Sequence, residues 1–330
     1  MYQASPDRYM CGMNYKRCGK SGVLLPRISL GLWHNFGITT PFERSRQILL
    51  TAFDHGVTHI DLANNYGPEP GEAERRFGQI LHDDLGGHRD ELFVSTKAAY
   101  DMWEGPYGSW ASRKHLMASL DQSLRRMKVD YVDLFYCHRY DPETPLEETL
   151  QALADIVRSG KALYIGISRW PSDALRFAHK YLNGQHSPML IIQDRLNLLS
   201  RAPLEQGILG YANQTGTGFI AFSPLAQGLL SDRYLNGIPQ GSRMCEERFL
   251  RSSSLTPALM RQLRELNDVA LQRGQTLAQM ALTWVLQQAG TTSVLVGASS
   301  QEQLVQNIHA QDAAPLSDDE LVRIEEILQG

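Results

Sequence analysis

A chain of 330 residues is long enough for one large buried core or two ordinary ones. With 42% hydrophobic and 21% charged residues it has the make-up of a soluble globular protein, and 32 Lys+Arg against 36 Asp+Glu leave a net charge of -4. No basic excess points to nucleic acid or a membrane surface, no apolar run is long enough to span a bilayer, and the opening MYQASPDRYM lacks the basic start and apolar stretch of a signal peptide, so a cytoplasmic protein is expected.

Residues 1–13 read as a flexible N-terminal arm, and 14–330 as a single domain. YKRCGKSGVLLPRI predicts two short strands around a Gly-Lys-Ser-Gly turn. This is no phosphate loop, because no spaced glycine precedes GKS and no helix pattern follows. ISLGLW (28–33) then predicts a strand, and 41–56 a helix with apolar spacing at Ile48, Leu49 and Phe53. The alternation continues. Strands are expected at 58–63, 92–97, 131–137, 162–168, 189–193, 218–223 and 293–297. Helices are expected at 71–85, 112–127, 145–160, 172–182, 204–216, 257–273, 276–288, 301–310 and 317–328. Ser112 supplies an N-cap, and Pro145 and Gly160 bracket their helix. Eight short, continuously apolar strands, nearly all followed by helices, suit a closed parallel (β/α)8 TIM barrel with an N-terminal hairpin and extra C-terminal helices. An open doubly wound sheet is the alternative; against it, no strand ends in GxGxxG.

The cysteines Cys11, Cys18, Cys137 and Cys245 form no CxxC pair and are too sparse for a disulfide scaffold. Cys11 and Cys18 are near enough in sequence to meet, but the rest reads as cytosolic, where such a bond is not expected. Cys137, inside YVDLFYC, reads as core. No cluster has metal-ligand spacing, so no metal is expected, and no GxSxG elbow offers a serine nucleophile.

In such a barrel the chemistry lies where strands end and helices begin. The polar residues there are Asp61, then Tyr66 in the next loop, Lys97, His138, Ser168, Gln193 and Ser223. Each alone is ordinary: a solvated lysine, a hydrogen-bonded histidine, a packing tyrosine. Together, an acid, a lysine, a phenol and an imidazole on one rim suit proton delivery to a carbonyl oxygen. An ammonium beside the phenol is expected to lower its pKa, and a carboxylate to keep that ammonium charged and placed. The imidazole would orient the carbonyl.

These motifs resemble the aldo-keto reductases, NADPH-dependent enzymes on a (β/α)8 barrel. The resemblance covers roughly residues 14–312 and rests on DLANNYG, STK, FYCHRYD, YIGIS, Gln193, FSPLAQG and VLVGASSQEQLVQNI. LGLWHNFG, NNYGPEPG, MWEGPYGSWASRK and DRYLNGIP are similar to the branch that holds the bacterial L-glyceraldehyde-3-phosphate reductases and the potassium-channel β subunits. The resemblance implies Tyr66 as general acid, tuned by Lys97 and Asp61, with His138 on the carbonyl. It implies an NADPH/NADP+ site in which Ser168 and Gln193 hold the nicotinamide carboxamide and Phe222 stacks where the family often has Tyr or Trp. Ser223, Leu225 and Gly228 would line the diphosphate path, Arg233 would reach the diphosphate, and Arg243 the 2′-phosphate. Ser299, Gln303 and Asn307 would meet the adenosine end, with Gly297, Trp33 and Asp61 also against the cofactor. Arg169 joins this set as a departure, standing where the family commonly has Asn, and Leu196 stands where an aromatic often follows Gln193. Trp33, Tyr66, Trp103 and His138, with Tyr100 or Tyr107, would line the substrate pocket. The implied activity is reduction of a small-molecule aldehyde such as L-glyceraldehyde 3-phosphate or methylglyoxal, in a homo-oligomer, with no nucleic-acid or membrane partner. The alternative is a cofactor-holding regulatory subunit with slow turnover. No residue for a substrate phosphate stands out.

Overall fold

The computed structural model describes residues 2–67, 69–239, 244 and 250–329. Arg243 and Cys245 lie outside the described residues. A two-stranded antiparallel hairpin, β1 (Tyr15–Arg17) and β2 (Leu24–Pro26), precedes the barrel. The barrel strands are β3 (Ile28–Gly31), β4 (His59–Asp61), β5 (Phe93–Ala98), β6 (Val132–Cys137), β7 (Ala162–Ser168), β8 (Met189–Arg195), β9 (Gly218–Phe222) and β10 (Thr291–Val296). They close in the order β10-β3-β4-β5-β6-β7-β8-β9, every pair parallel. The α/β TIM-barrel expectation holds. Strands buried by helices outside and side chains inside need no polar face, which is why their sequences read as apolar runs.

Helices α1 (Phe42–Asp54), α2 (Glu72–Asp84), α3 (Arg113–Met127), α4 (Leu146–Arg158) and α5 (Ser172–Gly184) wrap the first strands. Ser112 caps α3 by accepting from the His115 amide at 3.3 Å. The single helix expected at 204–216 is two, α6 (Ala202–Glu205) and α7 (Ile208–Thr215). Gly207 divides them by adopting a left-handed φ of 69°, a conformation that ends a helical ladder. After β9 the chain runs through short 3-10 turns to α8 (Pro257–Gln272) and α9 (Leu277–Gln287), the latter opened by a Thr276–Gln279 capping box. Helices α10 (Gln301–Ile308) and α11 (Asp318–Gln329) complete the chain.

The hairpin covers the end of the barrel where strands begin. Leu25 is fully buried in a cluster with Leu134, Leu190 and Ile191, and Lys16 Nζ donates to the Thr291 carbonyl at 2.8 Å. The expected arm, residues 2–13, touches the barrel through Tyr2 Oη on Asp54 at 2.6 Å and Arg8 paired with Glu91 at 2.7 Å. Among the described residues Cys11, Cys18 and Cys137 are free thiols. Among them, too, no helix is long and apolar enough to cross a membrane, and no group of three His, Cys, Asp or Glu side chains stands where it could hold a metal.

Alternation along the strands builds a polar column inside this apolar barrel. His59 and Asp61 point inward from β4, and Ser95 and Lys97 from β5, each two residues apart. His59 sits between Ser29 Oγ at 2.9 Å and Ser95 Oγ at 3.1 Å, and Ser29 Oγ meets Ser293 Oγ at 2.7 Å. Burial pushes the His59 pKa down to about 4, with Asp61 pulling the other way. The imidazole is therefore neutral in the fold and takes up a proton on unfolding below the ordinary histidine range. Its contribution to stability is complete above pH 6.5 and is lost as pH falls toward 4. Urea unfolding of wild type and His59→Gln across that window should show the wild type losing roughly 3 kcal/mol more than the variant. Parallel pH curves for the two proteins would refute a buried neutral His59.

Candidate active site

The register of the barrel strands sets the site. Asp61 pairs with Ser95 across β4 and β5, so Lys97 stands one inward step above the carboxylate. Lys97 Nζ donates to Asp61 Oδ2 and, at 2.7 Å, to the Leu62 carbonyl. Their side chains are 0% and 2% exposed. Asp61 Oδ1 accepts from Ser95 Oγ at 2.8 Å and from Gln193 Nε2 at 3.2 Å. Behind β5, Thr96 donates to the buried Glu74 of α2 at 2.5 Å, and Arg126 of α3 pairs with the same carboxylate at 2.6 Å.

Tyr66 enters from the loop after β4. Its hydroxyl is 3.4 Å from Lys97 Nζ, and the ammonium lies 4.8 Å from its ring centre. His138 follows β6, tied down by its amide to the Ala98 carbonyl at 2.9 Å. Its ring stands edge-on to Tyr66 at 5.7 Å and to Tyr100 at 4.8 Å. The structure thus brings Asp61, Lys97, Tyr66 and His138 together at the strand ends.

The phenol does not behave as the residue list alone suggests. Its pKa lies well above the ordinary tyrosine value, chiefly from burial and then from Asp61, with Arg169 opposing. The reason is geometric. The phenol is shut away from water, which disfavours its charged form, and the Lys97 ammonium sits closer to Asp61 than to the phenol. Burial draws the Lys97 pKa down while Asp61 and then Glu74 hold it up. Burial, Lys97, Arg169 and Arg139 together drive His138 well below the histidine range, so it is a neutral ring with one N–H to give. A protonated phenol and a neutral imidazole, side by side, are two hydrogen-bond donors for one oxygen.

Beside this group lies a rim of strained backbone. Arg169 at the end of β7 has φ 58°, Ser223 after β9 has φ 50°, and Ala226, Gln227 and Gly228 follow at 46°, 60° and 101°. Among the buried polar atoms without a partner are Ser168 Oγ at the end of β7 and Asn307 Nδ2 on α10, in side chains 1% and 3% exposed. Buried polar atoms are almost always satisfied, so both are open to a ligand. A free hydroxyl at one strand end and a free carboxamide on α10 are chemically suited to the amide and heterocycle groups of a nicotinamide dinucleotide. Ser299 and Gln303 are joined at 3.0 Å near Asn307, and Gly297 opens the same loop. Phe222 is half-buried under the Arg195 guanidinium at 5.7 Å. Leu225 is half-buried and Arg233 exposed.

The aromatic residues divide. Trp33 lies against His34 at 4.0 Å and receives the Gly67 amide on its carbonyl at 3.1 Å. Trp103 stacks on His115 of α3 at 4.8 Å, a packing contact, and Tyr107 is exposed under Lys114. Tyr100, like Tyr66, touches His138. Residue patterns did not single out Ser95, Asn64 or Arg139. Ser95 was legible as the inward residue two before Lys97. Asn64, fully buried with both amide atoms unpartnered, lies between Asp61 and Tyr66.

The aldo/keto reductase family model matches residues 27–329. The chain is 53% identical over 330 residues to the L-glyceraldehyde 3-phosphate reductase of Escherichia coli (strain K12), covering 99% of this chain and 95% of that protein. It is 36% identical over 322 residues to a probable voltage-gated potassium channel subunit beta of Oryza sativa subsp. japonica, covering 96% and 97%. The chain belongs to the aldo/keto reductase family and is an NADPH-dependent oxidoreductase of small aldehydes.

Proposed function

We propose that this enzyme reduces L-glyceraldehyde 3-phosphate and related short aldehydes to alcohols, with Tyr66 as the proton donor. One observation carries the reading: the Tyr66 hydroxyl lies 3.4 Å from a lysine whose ammonium is fully buried and paired with Asp61. When bound, NADPH supplies the hydride that adds to the carbonyl carbon. Tyr66 and the neutral His138 donate hydrogen bonds to the carbonyl oxygen and orient it. As charge gathers on that oxygen, the Tyr66 O–H bond breaks and the proton passes to it, leaving a phenolate. Lys97 stabilises that phenolate, with its charge held ready by Asp61. The raised resting pKa suits this role, since an acid already ionised has no proton to give.

On this reading Ser168 and Gln193 hold the nicotinamide carboxamide, Ser299, Gln303 and Asn307 the adenosine end, and Arg233 and Arg243 the phosphates. The E. coli relative's name supports the triose phosphate as substrate. A cytoplasmic homo-oligomer belongs to the same proposal. The rice relative offers a second reading, a cofactor-holding subunit with slow turnover.

NADPH consumption by purified protein, followed at the nicotinamide absorbance with L-glyceraldehyde 3-phosphate, tests the proposal. Tyr66→Phe should lower kcat by about 10²- to 10⁴-fold, and Lys97→Met by a similar factor, without a matching rise in KM. Near wild-type turnover in Tyr66→Phe would sink the assignment. Tight NADPH binding with no turnover of any aldehyde by the wild type would favour the subunit reading. Asn307→Ala should weaken NADPH binding by about tenfold in a fluorescence titration while kcat changes little. Unchanged binding would remove Asn307 from the cofactor site.

A further inference from the structure

Two arginines stand beside the proton donor, and their surroundings differ. Arg139, next to His138, is fully engaged. Its guanidinium lies 3.8 Å from the Trp110 ring centre and 4.5 Å from that of Tyr100. Its Nε donates to the Ala99 carbonyl at 3.0 Å, one Nη donates to Ser109 Oγ at 2.9 Å, and Asp101 lies 3.5 Å away. It braces the segment that carries Tyr100. Arg169 does no comparable bracing. Its Nη1 donates to the Tyr100 hydroxyl at 2.8 Å. Among the described residues no carboxylate stands within ion-pair distance of it; Asp194 on β8 feels its charge without pairing. A guanidinium has five N–H donors in a rigid fork, and a phenol oxygen occupies one while neutralising none of the charge.

Tyr100 ties this cation to the reacting end. Its ring is edge-on to His138 at 4.8 Å, and His138 is edge-on to Tyr66 at 5.7 Å. A continuous line of contacts therefore runs from the Arg169 fork through Tyr100 and His138 to the phenol. The exposed guanidinium is near enough to this end for its charge to be felt at both Tyr66 and His138. Arg169 has left-handed backbone at the end of β7 and an exposed side chain turned to the Tyr100 hydroxyl, while its neighbour Ser168 is buried. The Tyr100 bond holds the fork in place before a ligand arrives, which lowers the ordering cost of binding.

We propose that Arg169, steadied by Tyr100, is the anion anchor of the substrate site and selects short aldehydes that carry a phosphate ester. The proposal rests on the reductase reading above and supplies the phosphate-binding group that the sequence alone did not identify. It also moves the Arg169 side chain from the cofactor to the substrate.

The test compares L-glyceraldehyde 3-phosphate with unphosphorylated L-glyceraldehyde in wild type, Arg169→Gln, Arg169→Lys and Tyr100→Phe. The ratio of kcat/KM for the phosphorylated over the neutral aldehyde should fall by about 10- to 100-fold in Arg169→Gln, mainly through KM. Arg169→Lys should recover part of that ratio, and Tyr100→Phe should lose a smaller share. Equal fractional losses on both aldehydes, or a loss expressed in the KM for NADPH, would overturn the anchor. Calorimetric titration of the NADP+-loaded protein with glycerol 3-phosphate and with glycerol separates this from the parent reading. Wild type should bind the phosphate ester and Arg169→Gln should bind it at least tenfold more weakly, whether or not any aldehyde is turned over. Equal binding by the two proteins would refute the anchor even if the reductase reading stands.

Discussion

A buried ion pair sets the terms for the rest of this structure. Lys97 and Asp61 are shut away from water, and a pair of charges so placed is costly unless each remaining proton and lone pair is also satisfied. Here they are. Asp61 gives one oxygen to Lys97 and the other to Ser95 and Gln193; Lys97 gives its further protons to the Leu62 carbonyl and to Tyr66. Those partners come from β4, β5, β8 and the loop after β4, elements brought together across the barrel interior. The closed barrel is thus the device that makes this pair affordable, and the apolar runs of the strands are what close it.

Burial keeps the phenol protonated, and burial with the nearby cations keeps the imidazole uncharged, so both can donate at rest. Once the proton leaves Tyr66, the phenolate faces Lys97 across 3.4 Å in surroundings that screen little. The lysine matters most after the proton has moved, which is the condition for stabilising the transition state over the ground state.

The sequence made the four central residues legible because each is the polar residue that interrupts or follows an apolar run at a strand end, and the period of two then predicts their common face. What stayed hidden depends on distances between chain-remote groups. The sign of the Tyr66 shift follows chiefly from the burial of the phenol and then from the nearby Asp61, both facts of packing. The break at Gly207 was missed because the apolar spacing on either side of it is compatible with one helix, and only the left-handed φ shows otherwise. Arg139 and Arg169 look alike in the sequence, each following a strand-end residue; their inventories of partners tell them apart.

Strain at the strand ends follows the same logic. A residue other than glycine in left-handed backbone costs on the order of 1 kcal/mol, and the molecule bears this at Arg169, Ser223, Ala226 and Gln227. Ala99, at φ 130°, is further from the comfortable range, and its carbonyl is claimed at once by Arg139 Nε and by the Trp110 amide at 3.0 Å. Such a conformation persists only where its neighbours over-determine it, and here the neighbours are the brace of the Tyr100 segment. The chain leaves β5 in a direction that sets the Tyr100 ring against His138 and its hydroxyl under Arg169. A relaxed backbone at Ala99 would turn that segment elsewhere. The local energy spent on backbone strain at these positions is therefore the means by which a rigid barrel end acquires a directed rim.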